Sequence, residues 1–149
     1  MSLDSEPSVV PAIVLSDLTI VEQGTGKRSI IGAFDELKFP QFPARVGRFF
    51  VNAWVSNIEG TLTEVDLTTL IKARTSGHVV FSSSGKIAFG KEQKFERVVV
   101  LAVSTAVIGA TFPNPNIYSV VLLLNGEEAG SRDFNVIQVS KPQPKEGTE

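Results

Sequence analysis

The residues able to do chemistry are few, and their spacings decide little in favour of a reaction. Gly24-Thr25-Gly26-Lys27-Arg28-Ser29 has the outline of a phosphate loop. Such a loop needs a glycine five positions before its last glycine, then Lys and Ser/Thr, then a helix whose N-terminal amides hold the phosphate. Val21 stands at the first glycine position, Arg28 separates Lys27 from Ser29, and a strand pattern follows. The segment therefore predicts a hairpin turn, and Gly85-Lys86-Ile87 fails the same test. His78, the one imidazole, would need an orienting acid and a nearby nucleophile to act as a general base. Between Gly77 and Val79 it has neither, and it reads as an exposed residue at a turn-to-strand junction.

Paired carboxylates occur at Asp35-Glu36, at Glu64 with Asp66, and at Glu127-Glu128. Glu64 and Asp66 share one face of a strand about 7 Å apart. That separation suits glycosidase chemistry or a weak cation site. It equally suits a solvated sheet face, with Lys72 farther along the same face, and that is the reading adopted. Lys86, Lys91, Lys94 and Arg97 form the one basic concentration, interleaved with Glu92 and Glu96. A nucleic-acid groove combines such charge with exposed aromatics, and only Phe89 and Phe95 are near.

Composition narrows the classes further. The chain has 149 residues and no Cys, which excludes a disulfide framework, thiolate-bound metal and thiol catalysis. A single His excludes any site needing two imidazoles from one chain. The net charge of −2 does not suggest a nucleic-acid or anionic-membrane partner. The N-terminus, Met1 to Ser8, carries acids and no apolar signal region, and no apolar run approaches the ~18 residues of a membrane span. A cytoplasmic location is expected. The polar stretch 141–149 predicts a disordered tail, as does 1–8, around one domain with an ordered core of about residues 10–140.

Helical periodicity is nearly absent. Short β-branched and aromatic runs recur between Gly, Pro and Asn signals, the pattern of an all-β fold. Runs Ile13 to Val21 and Ser29 to Phe34 flank a Gly-rich turn and predict a hairpin. Phe39-Pro40-Gln41-Phe42-Pro43 cannot lie in a central strand, because each proline removes a donor. It reads as a crossing between sheets. Arg48 to Val55 predicts a strand with Phe49, Val51, Ala53 and Val55 on one face. Residues 64–74 alternate and read as a half-buried strand, with a helix as the competing assignment. Ser82 to Lys94 looks loop-like. Phe95 to Ile108 predicts one or two strands, and Ile117 to Leu124, the Asn125-Gly126 turn and Ser131 to Val139 predict a closing hairpin. About eight strands at this spacing suit a sandwich.

Immunoglobulin-type sandwiches place a Trp of the third strand in the core, and a Tyr near the start of the sixth strand bonds back to the backbone. Trp54 lies in the third run, and Tyr118 opens the penultimate one after the rigid Asn114-Pro115-Asn116. Val120, two residues on, stands where antibody domains carry a disulfide Cys. Trp54 and Tyr118 are thus expected as core and corner residues.

Three blocks carry a family resemblance. They are Val21-Glu22-Gln23-Gly24 with Ser29 to Asp35; Phe39 to Pro43; and Phe112 to Tyr118 followed by Asn125-Gly126-Glu127 and Phe134-Asn135-Val136. Over about residues 10–139 the chain resembles a family of small bacterial proteins known only as a domain of unknown function. In that pattern a Gly usually stands where this chain has Asn116, a mild departure because Asn tolerates a left-handed backbone. The resemblance implies a compact β-sandwich and no activity.

The expectation is one immunoglobulin-like β-sandwich of about eight strands, not an enzyme, with no catalytic, cofactor-binding or metal residues. Its role is read as a structural or protein-interaction module of a bacterial or phage-type assembly, with a small-ligand or carbohydrate-binding module as the alternative. A protein partner or self-association is expected, and nucleic acid and membrane are not. The candidate contact surface is Phe39, Pro40, Phe42 and Pro43.

Overall fold

The computed structural model describes residues 9–56, 60–95 and 101–140, and side chains over 12–56, 64–88 and 101–140. Its strands, in chain order, are β1 (Val9–Val21), β2 (Arg28–Phe34), β3 (Glu36–Phe39), β4 (Ala44–Arg45), β5 (Arg48–Ser56), β6 (Gly60–Ala73), β7 (Val79–Phe95), β8 (Leu101–Ile108), β9 (Thr111–Phe112), β10 (Asn116–Leu124) and β11 (Glu127–Gln138). One sheet has the order β2-β1-β5-β8, the other β3-β11-β10-β6-β7, and β4 pairs with β9 in a two-stranded ribbon.

The order is that of an immunoglobulin-like sandwich. Immunoglobulin sheets place strands A, B and E side by side in one layer and C, F and G in the other, and the variable type adds C′ beside C. Here β1, β5 and β8 take the first set of places, and β6, β10, β11 and β7 the second. The all-β sandwich expected from the sequence is therefore present, with eleven strands among the described residues rather than about eight. The additional ones, β3, β4 and β9, are two to four residues long. Pieces so short carry no readable alternation.

The core lies between the two large sheets. β5 turns Phe49, Val51, Ala53 and Val55 inward, all at 1% exposure or less. β6 is a strand, not a helix. Its Val65, Thr69, Ile71 and Ala73 are buried and Leu67 half-buried, as period-two alternation requires. Val120 and Leu122 of β10 and Phe134 and Val136 of β11 extend the β6 row in the same sheet, across the core from β5. With no Cys in the chain, the sheets hold by this packing and by a polar clamp at one side. There Arg132 of β11 donates to the Ile13 carbonyl of β1 and to the Asp35 carboxylate. Asp35 sits between β2 and β3, where the chain passes from one sheet to the other.

Two further expectations need correcting. Ser82 to Lys94 is not a loop but the body of β7, paired with β6 from Lys72↔Val79 to Gly60↔Phe95. A polar strand at a sheet edge faces water on most sides, so nothing in its composition separates it from a loop. Trp54 is not a core residue. It lies on β5, the B position and not the C position, and points out of the sandwich with Phe50 and Asn52, half-buried.

The turns follow their residues. Asn125 and Gly126 have φ of 49° and 83°, which suits the two-residue turn joining twisted strands. Tails 1–8 and 141–149 lie outside the described residues.

Candidate functional site

The residue sets considered for chemistry fall in separate places. Gly24 to Lys27 form the turn between β1 and β2, with Gly24 and Gly26 at φ 94° and 68°. His78 is exposed, and its backbone amide donates to Ser76 Oγ at 3.2 Å. Glu64 and Asp66 share a solvent-facing side of β6, where Lys86 of β7 lies 3.1 Å from Glu64 and 3.8 Å from Asp66. The hydrogen bond it donates to Glu64, then the charges of Glu64 and Asp66, hold the Lys86 ammonium above its ordinary pKa. A shallow depression lined by Asp66, Thr68, Ser84, Gly85, Lys86 and Gly126 lies beside them. The carboxylates are thus engaged by a lysine in water, a pairing that contributes little to stability. The side chains of Lys91, Lys94 and Arg97, which with Lys86 made the basic concentration, lie outside the described residues. Among the described residues no three His, Asp or Glu converge as metal ligands would.

The candidate contact segment is divided. Phe39 and Phe42 are half-buried and pack against the core, while Pro40 and Pro43 are exposed. Phe39 meets Phe42 at 6.0 Å between ring centroids and Phe112 at 6.2 Å. Phe112 in turn stands edge-on to Tyr118 at 4.8 Å and to Phe134 at 6.1 Å. Two of the four residues therefore close the end of their own sandwich.

Tyr118 is the corner residue that its spacing suggested. It is fully buried, and its hydroxyl donates to the Asn114 carbonyl at 2.8 Å. Burial raises its pKa, and the bond to Asn114 opposes that only in part. Neither solitary aromatic offers an open stacking platform, since Tyr118 is enclosed and Trp54 half-buried.

The most unusual surface is one that sequence reasoning missed. The β1–β2 hairpin does not continue flat beside β5. Ser16 and Thr19, three positions apart, would point to opposite faces of a regular strand, yet their hydroxyls lie 3.1 Å apart. The alternation breaks between them at Asp17, which skips its pairing with Gly32, a residue at φ 69°. Beyond this break the hairpin folds over the outer face of its own sheet. Arg28, at its far end, crosses β5 to β8, where Nε donates to Ser104 Oγ at 3.0 Å and Nη2 to the Ala102 carbonyl at 3.1 Å.

Asn52 lies beneath, completely buried and completely satisfied. Its Nδ2 donates to the Val14 carbonyl at 3.1 Å and to Ser16 Oγ at 2.9 Å. Its Oδ1 accepts from Thr19 at 2.7 Å and from Ser104 at 2.9 Å. Thr19 spends its one proton on Asn52, so Ser16 donates to Thr19, and Asn52, Ser16 and Thr19 close a ring of hydrogen bonds. The only hint in the sequence is an amide between Phe50 and Trp54 on one strand face.

With Thr19 and Arg28 turned inward, the hairpin presents Ile20 and Ile31 to water, at 48% and 49% exposure. Val21, paired with Arg28, is 52% exposed at the hairpin's end. A two-stranded flap over a soluble domain ordinarily has the opposite polarity, and apolar groups clustered at one place mark contact sites.

The chain belongs to a family of unknown function, DUF6941, whose model matches residues 11–137. No curated protein matches it. Among solved structures it is similar to an alkylpurine DNA glycosylase from Pseudomonas fluorescens, at 13% identity and a TM-score of 0.43, over 69% of this chain and 27% of that one. The chain thus spans about a quarter of that enzyme's length. It is also similar to an immunoglobulin-like protein from Pseudomonas aeruginosa, at 15% identity and a TM-score of 0.39, over 91% of this chain and 100% of that one.

Proposed function

We propose that this member of the DUF6941 family is a non-enzymatic protein-interaction module whose contact surface is the outward face of the β1–β2 hairpin. The observation that carries the reading is the inverted polarity of that hairpin. Thr19 and Arg28 are bonded to the sheet beneath, while Ile20 and Ile31 stand in water at 48% and 49% exposure. Leaving apolar side chains in water forgoes about 25 cal/mol per Å² of coverable surface, and a protein partner laid on them recovers it. The Asn52 ring holds the hairpin against the sheet, so the surface is preformed and little ordering is lost on binding.

In this reading the protein is a structural or adaptor component of a bacterial or phage-type assembly, working in the cytoplasm. Of the contact segment expected from the sequence, the exposed Pro40 and Pro43 remain open to a partner. The small-ligand or carbohydrate alternative has less support, because Tyr118 is enclosed and Trp54 is half-buried.

The test compares two baits in the source cell's lysate: the unaltered chain and an Ile20→Asp/Ile31→Lys variant of matched melting temperature. Proteins retained by the first and lost by the second support the hairpin surface. Identical captures from both, or none from either, count against it.

A further inference from the structure

We infer that β8 is a self-association edge, and that its occupant is β8 of a second copy aligned antiparallel about a two-fold axis. In immunoglobulin sheets the E strand is flanked by B on one side and D on the other. β8 holds the E place against β5, and among the described residues no strand pairs with its far side. Among the described residues the D place is open, and an open edge offers a row of amides and carbonyls for pairing, although the Ala102 carbonyl already accepts from Arg28.

The described edges differ in how they are guarded. β3 has only four residues. β2 is interrupted at Gly32. β7 carries Lys86, Lys91 and Lys94, and its pairing with β6 shifts register twice. Short length, interruption, bulging and lysine are the usual devices against edge pairing. β8 has none of them. Leu101-Ala102-Val103-Ser104-Thr105-Ala106-Val107-Ile108 contains no charge, proline or glycine, and it keeps one register with β5 from Val55↔Leu101 to Arg48↔Ile108.

A second copy fits this edge for three reasons. Antiparallel two-fold pairing sets the inward row of Leu101, Val103, Thr105 and Val107, apolar but for Thr105, against the same row. β8 itself carries no charged side chain, whereas Lys86 stands on β7, and Arg28, the cation bonded to β8, is already held by Ser104 and the Ala102 carbonyl. The pairing occupies both β8 edges at once and covers Ile108, now 66% exposed, so assembly closes at two chains. The edge adjoins the hairpin, whose Arg28 bonds to Ser104 and to the Ala102 carbonyl of β8, but the inference does not use the outward Ile20 and Ile31 on which the hairpin reading rests.

The test is light scattering coupled to size exclusion on the full chain over a range of concentrations. The mass is expected to rise from 16.1 kDa toward twice that value. Ala106→Lys, on the outer row of β8, sets like charges across the axis and should lower the association constant at least tenfold. Mixing it with Ala106→Glu should restore association. If the lysine at 106 prevents folding, Ile108→Lys takes its place, because that side chain already stands in water. Ile31→Lys, on the hairpin, should leave the dimer mass unchanged. A monomer at every concentration, a dimer indifferent to lysine on β8, a failure of the mixed variants to associate, or a dimer lost with Ile31→Lys would each overturn the inference.

Discussion

Asn52 and Thr19, 33 positions apart in the chain, meet at 2.7 Å, with the Thr19 hydroxyl donating to the Asn52 side-chain carbonyl. That bond ties a folded-over hairpin to the middle of β5, and it sits in a ring that leaves no lone partner. Neither residue approaches the other until β1 has broken its alternation at Asp17.

Asn52→Ala removes the hub of this ring at once. The Val14 carbonyl and the hydroxyls of Ser16, Thr19 and Ser104 each lose a partner beneath the hairpin. A loss of about 2–3 kcal/mol is expected, the cost of leaving buried polar groups unpaired. Chemical denaturation measures it. Hydrogen exchange should also accelerate across residues 18–31 more than across β10, because the hairpin loses its anchor.

Gly32→Ala and Gly26→Ala form a matched pair. Both glycines have φ close to 68°, so both substitutions meet the left-handed backbone penalty of about 1–2 kcal/mol. At Gly26 a Cβ meets open space, whereas at Gly32 it would stand 2.4 Å from Asp17 Oδ2 and 2.9 Å from Asp17 Cγ. Gly32→Ala should therefore destabilise more than Gly26→Ala by equilibrium unfolding. Equal effects would mean that Asp17 moves aside freely.

Tyr118→Phe deletes the corner bond to Asn114 and should cost about 1 kcal/mol. Its pH dependence is more specific. Burial raises the Tyr118 pKa above 10.0 in the folded chain, while an unfolded tyrosine begins to ionise near that value. The folded state then holds the proton more tightly, so this contribution is complete below about pH 10 and is lost as pH rises through the folded pKa. The unaltered protein should lose stability more steeply above pH 10 than Tyr118→Phe, as thermal melts at increasing pH would record.

Phe112→Ala opens a void among Phe39, Tyr118 and Phe134. A fully buried phenylalanine truncated in this way costs about 3–5 kcal/mol. Phe42→Ala removes a half-buried ring resting on Phe39 and should cost less, about 1–2 kcal/mol. An effect at Phe42 indistinguishable from zero in urea unfolding would remove it from the lid and return it to the contact surface.

The sequence by itself determined the all-β sandwich class and the buried face of several strands. Alternation in Val65 to Ala73 and in Phe49 to Val55 reports which face is buried, because side chains on a strand change sides at every residue. Tyr118 was readable as a corner for the same local reason: its partner is Asn114, four positions away. The polar edge strand β7 escaped, since a strand half in water needs no hydrophobic alternation. Trp54 misled, because its position in a run says which strand it occupies in order but not which place that strand takes in the sheet. Only the tertiary structure decided the hairpin surface. The bond from Arg28 to Ser104 spans 76 positions, and it exists only once β1 breaks at Asp17 and the hairpin folds across β5. The runs Ile13 to Val21 and Ser29 to Phe34 do not mark which apolar residues face water, and that fold is what turns Ile20 and Ile31 to the solvent.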